Sequence, residues 1–367
     1  MKTNAKINNQ LQKNKTSKNM AVLTKLAIIL AIYVVMAVLV EYNLINRQFS
    51  SLIVPIGVNI ILAVSLNLVT GFLGELSLGH AGFMSIGAFT GALFTLNIEM
   101  PTIPAFELEI PGIVINDKVF SIGTPEIPLS FIVAILLGGI MAAIFGFLIG
   151  VPVLRLRGDY LAIVTLAFGE IIRSVINTLY FPAGKDKTGE LIVNKGTMGL
   201  SGIENYANYT WVYVAVIITI IICINLVKSR HGRVITSIRD NIIAAESIGI
   251  RTSKYKIMTF VIAAFFAGVA GVIGGHNVSI IKPGYYGYDR SIDILVYVVL
   301  GGMGSIKGSI IAATILTVLP ELLRPIKDYR MLMYAVVLIA MMLFNHSSLK
   351  AKMQESGKLS SLLRFGK

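Results

Sequence analysis

Charged residues are scarce. Only 14% of the 367 residues are Asp, Glu, Lys or Arg, where a soluble globular chain carries roughly a quarter. So few charges cannot solvate the surface of a water-soluble protein of this size. The 55% hydrophobic content and the mean hydropathy of +0.77 point to lipid instead. Cysteine is nearly absent: the single Cys223 lies in an apolar run, which excludes an intramolecular disulfide and argues against thiolate metal sites and redox chemistry. The histidines His80, His231, His276 and His346 are scattered with no HExxH or paired-ligand spacing, so no metal site is expected. The chain also lacks a G-x-x-x-x-G-K-[ST] loop, so it has no recognisable means of binding ATP and no cofactor of its own is expected. No apolar run presents a nucleophile with a matching His and acid. The chain is therefore not read as an enzyme, and no catalytic residue is assigned.

What is present is a set of long apolar runs separated by basic or acidic stretches. A bilayer core of about 30 Å needs about 20 apolar residues per helix. Runs near 22–40, 51–70, 81–96, 129–153, 159–181, 211–227, 257–275 and 332–344 meet that need, and a Gly-broken run covers 292–320. The fold class expected is an all-α polytopic membrane bundle of about nine or ten segments, with no separate soluble domain. The small-residue pairs Gly87 and Gly91, Gly146 and Gly150, and Gly271 and Gly275 read as helix-packing faces.

The formal net charge of +13 resides in Lys and Arg between and outside the apolar runs, with no interleaved aromatics. That pattern suits anionic headgroups and cytoplasmic partners better than nucleic acid. Residues 1–25 form a basic tail with no acid, and the apolar stretch after it lacks a cleavage site, so it reads as a signal anchor. The tail, Arg155-Leu156-Arg157, the loop 229–256 and the basic segment 345–367 share a cytoplasmic side by the positive-inside rule. The acidic loop 97–128 and the loop 182–210 then fall outside, and 26–344 is the transmembrane domain. A cytoplasmic C-terminus requires 292–320 to cross twice, or to dip in and return. Gly301, Gly302, Gly304 and Gly308 around Lys307 permit that where protein or water surrounds the backbone.

The soluble stretch with most information is the loop 229–256. Ile235, Ile238, Ile242 and Ala245 recur at three- and four-residue steps, which places them on one helical face. Asp240 can cap a second short helix and Gly249 can end it. Such a helix is suited to dock in a groove of another protein or to lie on headgroups. Glu170 and Arg173 sit three residues apart, with residue 170 roughly 16 Å into a helix that begins at Asp159. They either line a pathway for a zwitterionic solute or neutralise one another to fix the helix. Residues 71–91 pack Glu75, Ser77 and His80 among six glycines, which suits either an interrupted helix that lines a transport site or a tight turn satisfying its own polar groups.

The segment Ala244-Ala245-Glu246-Ser247-Ile248-Gly249 resembles the coupling-loop signature of ABC importer permeases. Gly74 to Phe83 (GELSLGHAGF), Leu156 to Arg173 (LRGDYLAIVTLAFGEIIR), Gly199 to Ile203 (GLSGI) and Val299 to Ser305 (VLGGMGS) resemble the LivM-type branched-chain amino acid permeases, and the set runs in family order from about residue 51 to 325. The resemblance implies one subunit of a bacterial cytoplasmic-membrane importer. It implies a second homologous permease subunit, cytoplasmic ATPase subunits that bind ATP and Mg, and an external binding protein that delivers Leu, Ile or Val. In that reading Arg233, Arg239, Asp240, Ala244, Ala245, Glu246, Gly249 and Ile250 form the ATPase-coupling loop, and Glu75, Ser77, His80, Glu170 and Arg173 are the candidate pathway residues. Related permeases carry urea, short amides or simple sugars. A secondary transporter or channel working alone remains the rival in another class.

Overall fold

In a computed structural model the described residues are 47–97, 102–103, 106–115, 118–124, 127–156, 158–185, 191–278, 280–324 and scattered positions from 329 to 343. The expected tails 1–25 and 345–367 and the span 22–40 lie outside them, as does much of the span 332–344.

The chain divides into two units, residues 1–51 with 104–126, and 52–103 with 127–367. The first contains a helical turn, Arg47–Ser50, and an antiparallel hairpin of Phe106–Ile115 with Lys118–Thr124. Sequence reading treated this acidic stretch only as a loop. The alternation of Phe106, Leu108 and Ile110 with Glu107 and Glu109 has the two-residue period of a strand.

The second unit is the helical bundle: α1 (Ile53–Asn67), α2 (His80–Asn97), α3 (Leu129–Val153), α4 (Asp159–Thr178), α5 (Tyr209–Lys228), α6 (Arg230–Asp240), α7 (Ile242–Ser247), α8 (Thr252–Gly275), α9 (Tyr288–Gly301) and α10 (Ile306–Leu322). Between α4 and α5 a short hairpin pairs Tyr180–Lys185 with Leu191–Lys195, within the stretch read as an outer loop. Among the described residues five helices are long and apolar enough to cross a bilayer: α1 with its extension to Leu73, α3, α4, α5 and α8.

Burial sorts these helices into a centre and a periphery. The extended α1 is 83% buried and α8 is 67% buried, whereas α3, α4 and α5 are 22–33% buried. On α3 the exposed side chains Leu136, Ile140, Ile144, Phe147 and Leu148 repeat at helical spacing and form an outward apolar stripe, as a membrane-spanning helix requires. Its other face carries Gly138, Gly139 and Ala142 against Gly268 of α8. α2 packs there too. A Cβ on Gly87 would stand 2.2 Å from the Gly268 carbonyl oxygen, so only glycine permits that approach. The glycine pairs singled out in the sequence therefore act in helix packing, as Gly146 and Gly150 do against Ala264 and Phe260.

The Gly-broken run folds as two helices. α9 and α10 are 14 and 17 residues long, and the turn 302–305 joins them with Gly302 and Gly304 at φ of 89° and 82°. The hydrogen bonds Asn59 Nδ2 to Thr317 Oγ1 (2.8 Å) and Asn67 Nδ2 to Ser309 Oγ (2.9 Å) set α10 antiparallel to α1. The chain thus runs in along α9 and back along α10.

A polar interior and an exposed two-helix arm

α1 does not end cleanly. Its last turn widens into a π-helical segment, Leu68–Leu73, which Gly74 closes in the left-handed region at φ 80°. Residues 75–79 are then extended, and α2 starts at His80. This interruption is held from four sides. Glu75 forms a buried ion pair with Lys256 near the start of α8. Leu78 N donates to Thr165 Oγ1 of α4 at 3.0 Å, Ala81 N donates to Ser291 Oγ of α9 at 3.1 Å, and Ser65 Oγ lies 2.8 Å from His80 Nε2. The Ser77 hydroxyl is buried without a hydrogen-bond partner among the described residues.

Glu170 and Arg173 pair as the i, i+3 spacing requires, with Nε donating to Oε2 at 2.7 Å. Glu170 also does what spacing could not reveal. Its Oε1 accepts the backbone N–H of Tyr288 at 2.8 Å and so caps α9, where a carboxylate meets the positive end of the helix dipole. Both side chains are about one-third exposed or less, at 28% and 34%.

α6 and α7 form an arm at the end of the bundle where α1 finishes. Asn241, not Asp240, caps α7: its Oδ1 accepts from Ala244 N at 3.0 Å, while Asp240 is occupied as an acceptor for Arg239. Ser229 caps α6 in the same way, through Gly232 N. Gly249, at φ 84°, ends the arm as expected. The apolar stripe points inward. Ile235, Ile238 and Ala245 are buried against Leu73, with Ile242, Ile250, Tyr255 and Met258 packed beside them. What the arm exposes is another face, with Ile243 at 69% and Ile248 at 75% exposure beside exposed Ala244, Glu246 and Arg233. Glu246 accepts from Thr252 Oγ1 at 2.8 Å and ties α7 to α8.

Arg239 joins this arm to the interruptions. Its Nη1 donates to the Gly71 carbonyl at 3.0 Å, while Gly304 N donates to Asn67 Oδ1 at 2.9 Å. Gly71 and Gly304 are in backbone contact, since a Cβ on Gly71 would lie 2.2 Å from Gly304 N. The arm, the π segment of α1 and the α9–α10 turn thus share one junction. Asn59, Asn67, Thr165, Lys256 and Ser291 were not singled out beforehand. The signal was there for the two asparagines, which lie eight residues apart on one face of an apolar helix.

Interrupted helices held inside an apolar bundle, with a soluble two-helix arm fastened to them, define a multi-pass membrane protein of the transporter class. The chain belongs to the family described as branched-chain amino acid transport system / permease component, which it matches over residues 48–345. It is 31% identical over 313 residues to the high-affinity branched-chain amino acid transport system permease protein LivM of Escherichia coli, covering 79% of this chain and 67% of that one. The Salmonella typhimurium LivM is 32% identical over 327 residues, 82% of this chain and 70% of that protein. A shorter likeness, 32% over 130 residues, links it to the Salmonella typhimurium permease protein LivH, covering 35% of this chain and 42% of that one. No solved structure matches the chain.

Proposed function

We propose that this chain is the membrane-spanning permease subunit of an ATP-driven importer that takes up branched-chain amino acids handed over by an external binding protein. A second permease subunit of the same family completes the pathway, and the ATP and Mg are held by ATPase subunits on the cytoplasmic side. Family membership and the names of the relatives favour Leu, Ile and Val over urea or short amides. The LivH likeness supports pairing of two homologous permeases.

The observation that carries the coupling role is the α6–α7 arm. It exposes Ile243 and Ile248 at its tip, and Arg239 connects its base to Gly71 and, through it, to Gly304. Two large apolar side chains exposed beside charged neighbours suit a groove of a partner protein. Nucleotide binding in the partner shifts the bundle only if the partner grips the arm differently in its two states. Basic flanks favour the arm and both termini on the cytoplasmic side of the bacterial plasma membrane. Glu75, Ser77 and His80 of the interruption, with Glu170 and Arg173, remain the residues proposed to border the pathway. Copurification of the ATPase subunits with the chain, and its loss on Ile243→Asp with Ile248→Asp, tests the docking role; undiminished copurification would count against it.

A further inference from the structure

A cavity of about 320 Å³ opens at the end of α1 away from the arm. Val54, Val58, Met84, Tyr285, Tyr286 and Arg290 are among its lining residues. Its volume sits at the low end of the roughly 300–1,000 Å³ typical of small-molecule sites, enough for a single small solute. Val54 and Gly71 are 17 residues apart on α1, about 25 Å at 1.5 Å per residue, so the cavity and the arm lie at opposite ends of the bundle.

Among the described residues Arg290 is the one charged group in an otherwise mostly apolar wall. Its Nη2 donates to Asn59 Oδ1, and it hydrogen bonds with Tyr297, so the guanidinium is held in place. Asp289 and Asp293 are electrostatic neighbours on α9, yet among the described residues no carboxylate forms an ion pair with Arg290. A guanidinium fixed in a mostly apolar wall is stabilised when an anion meets it. A carboxylate does so with two parallel hydrogen bonds. Val54, Val58 and Met84 offer the apolar surface that a branched aliphatic group would cover, and the faces of Tyr285 and Tyr286 attract an ammonium group.

From this arrangement we infer that the cavity is a binding site for a free α-amino acid with an aliphatic side chain, its carboxylate on Arg290 and its side chain against Val54, Val58 and Met84. The inference rests on the importer reading and adds to it where this chain itself holds the solute. In the orientation proposed above the cavity faces the side from which a binding protein delivers.

Val278, at the cavity rim and 38% exposed, provides the test. In membrane vesicles containing the assembled transporter, a Val278→Cys chain is treated with a membrane-impermeant maleimide, and modification of this chain is followed by mass spectrometry. Cys223, the only natural cysteine, is buried and stays silent. Leucine at about ten times its dissociation constant should slow modification roughly tenfold, in proportion to the sites left empty. Leucinamide, which lacks the carboxylate, should not protect, and Arg290→Gln should abolish protection by leucine. Asn277→Cys, a partly exposed lining position that the proposed contacts do not use, supplies the same readout if Val278→Cys is not assembled. Absence of protection in vesicles that still accumulate leucine with ATP overturns the site and leaves the importer reading intact. Equal protection by leucinamide, or no modification at either position because another segment fills the cavity, overturns it as well. If unsubstituted vesicles accumulate no leucine at all, the importer reading fails and the site falls with it.

Discussion

Arg239 donates from Nη1 to the carbonyl oxygen of Gly71 at 3.0 Å, so the guanidinium of the surface arm reaches the backbone of a bundle helix at the point where that helix loses regular α geometry. A hydrogen bond from a charged donor contributes roughly 1.5–3 kcal/mol, and its strength here lies in what it connects. Gly71 touches Gly304, so displacement of the arm is felt in both α1 and the α9–α10 turn.

Arg239→Ala should therefore lower ATP-driven uptake about tenfold or more, the equivalent of one such bond, while ATP hydrolysis by the complex persists. Uptake and hydrolysis measured on the same proteoliposomes check this. Equal loss of both would mean that the substitution merely removed the ATPase.

The Glu75–Lys256 pair is buried, with the two side chains 14% and 5% exposed. Removing one partner strands the other charge, at a cost of about 3–5 kcal/mol, whereas replacing both with apolar groups can be close to neutral. Glu75→Gln and Lys256→Met should each lower the melting temperature of the detergent-solubilised protein. The double variant Glu75→Leu with Lys256→Met should recover most of the loss. Additive losses in the double variant would contradict the pairing.

Gly87→Val should prevent α2 from reaching α8, because even a single Cβ would lie 2.2 Å from the Gly268 carbonyl oxygen. Overpacking of this kind costs about 1–3 kcal/mol or more, and backbone cannot step aside as a side chain can. Size-exclusion profiles and yield of folded protein report the effect. Gly249→Val is a useful contrast: nothing lies within 4 Å of its Cβ, so only the φ of 84° resists it, and the bundle should fold while uptake falls.

Glu170→Ala should loosen α9 as well as free Arg173, since one carboxylate serves both. Loss of a capping acceptor costs about 0.5–2 kcal/mol. Faster hydrogen exchange at Tyr288 and the residues after it should follow; exchange unchanged there would show that the cap is dispensable.

Much of this architecture was legible in the chain. Span length and scarcity of charge gave the bundle, and glycines 301, 302, 304 and 308 marked the return between α9 and α10. The spacing of Glu170 and Arg173 gave their pairing but not the cap on Tyr288, which depends on a residue 118 positions away. The arm's apolar stripe was read correctly as one face, yet periodicity cannot say what covers a face. The chain's own Leu73 does so, which left Ile243 and Ile248 for the exterior. Asp240 was expected to cap the second short helix; Asn241, one residue on, does so, while Arg239 holds the Asp240 carboxylate. The hairpin of Phe106–Ile115 was missed because the stretch was read for its charge alone.

The most direct test of the account is accumulation of labelled leucine, isoleucine and valine in proteoliposomes containing this chain with its second permease, ATPase subunits and binding protein. Accumulation should require ATP inside the cytoplasmic-side compartment and should collapse in the Ile243→Asp, Ile248→Asp double variant while its bundle remains folded. Accumulation by this chain without any ATPase subunit, following an ion gradient, would contradict the account.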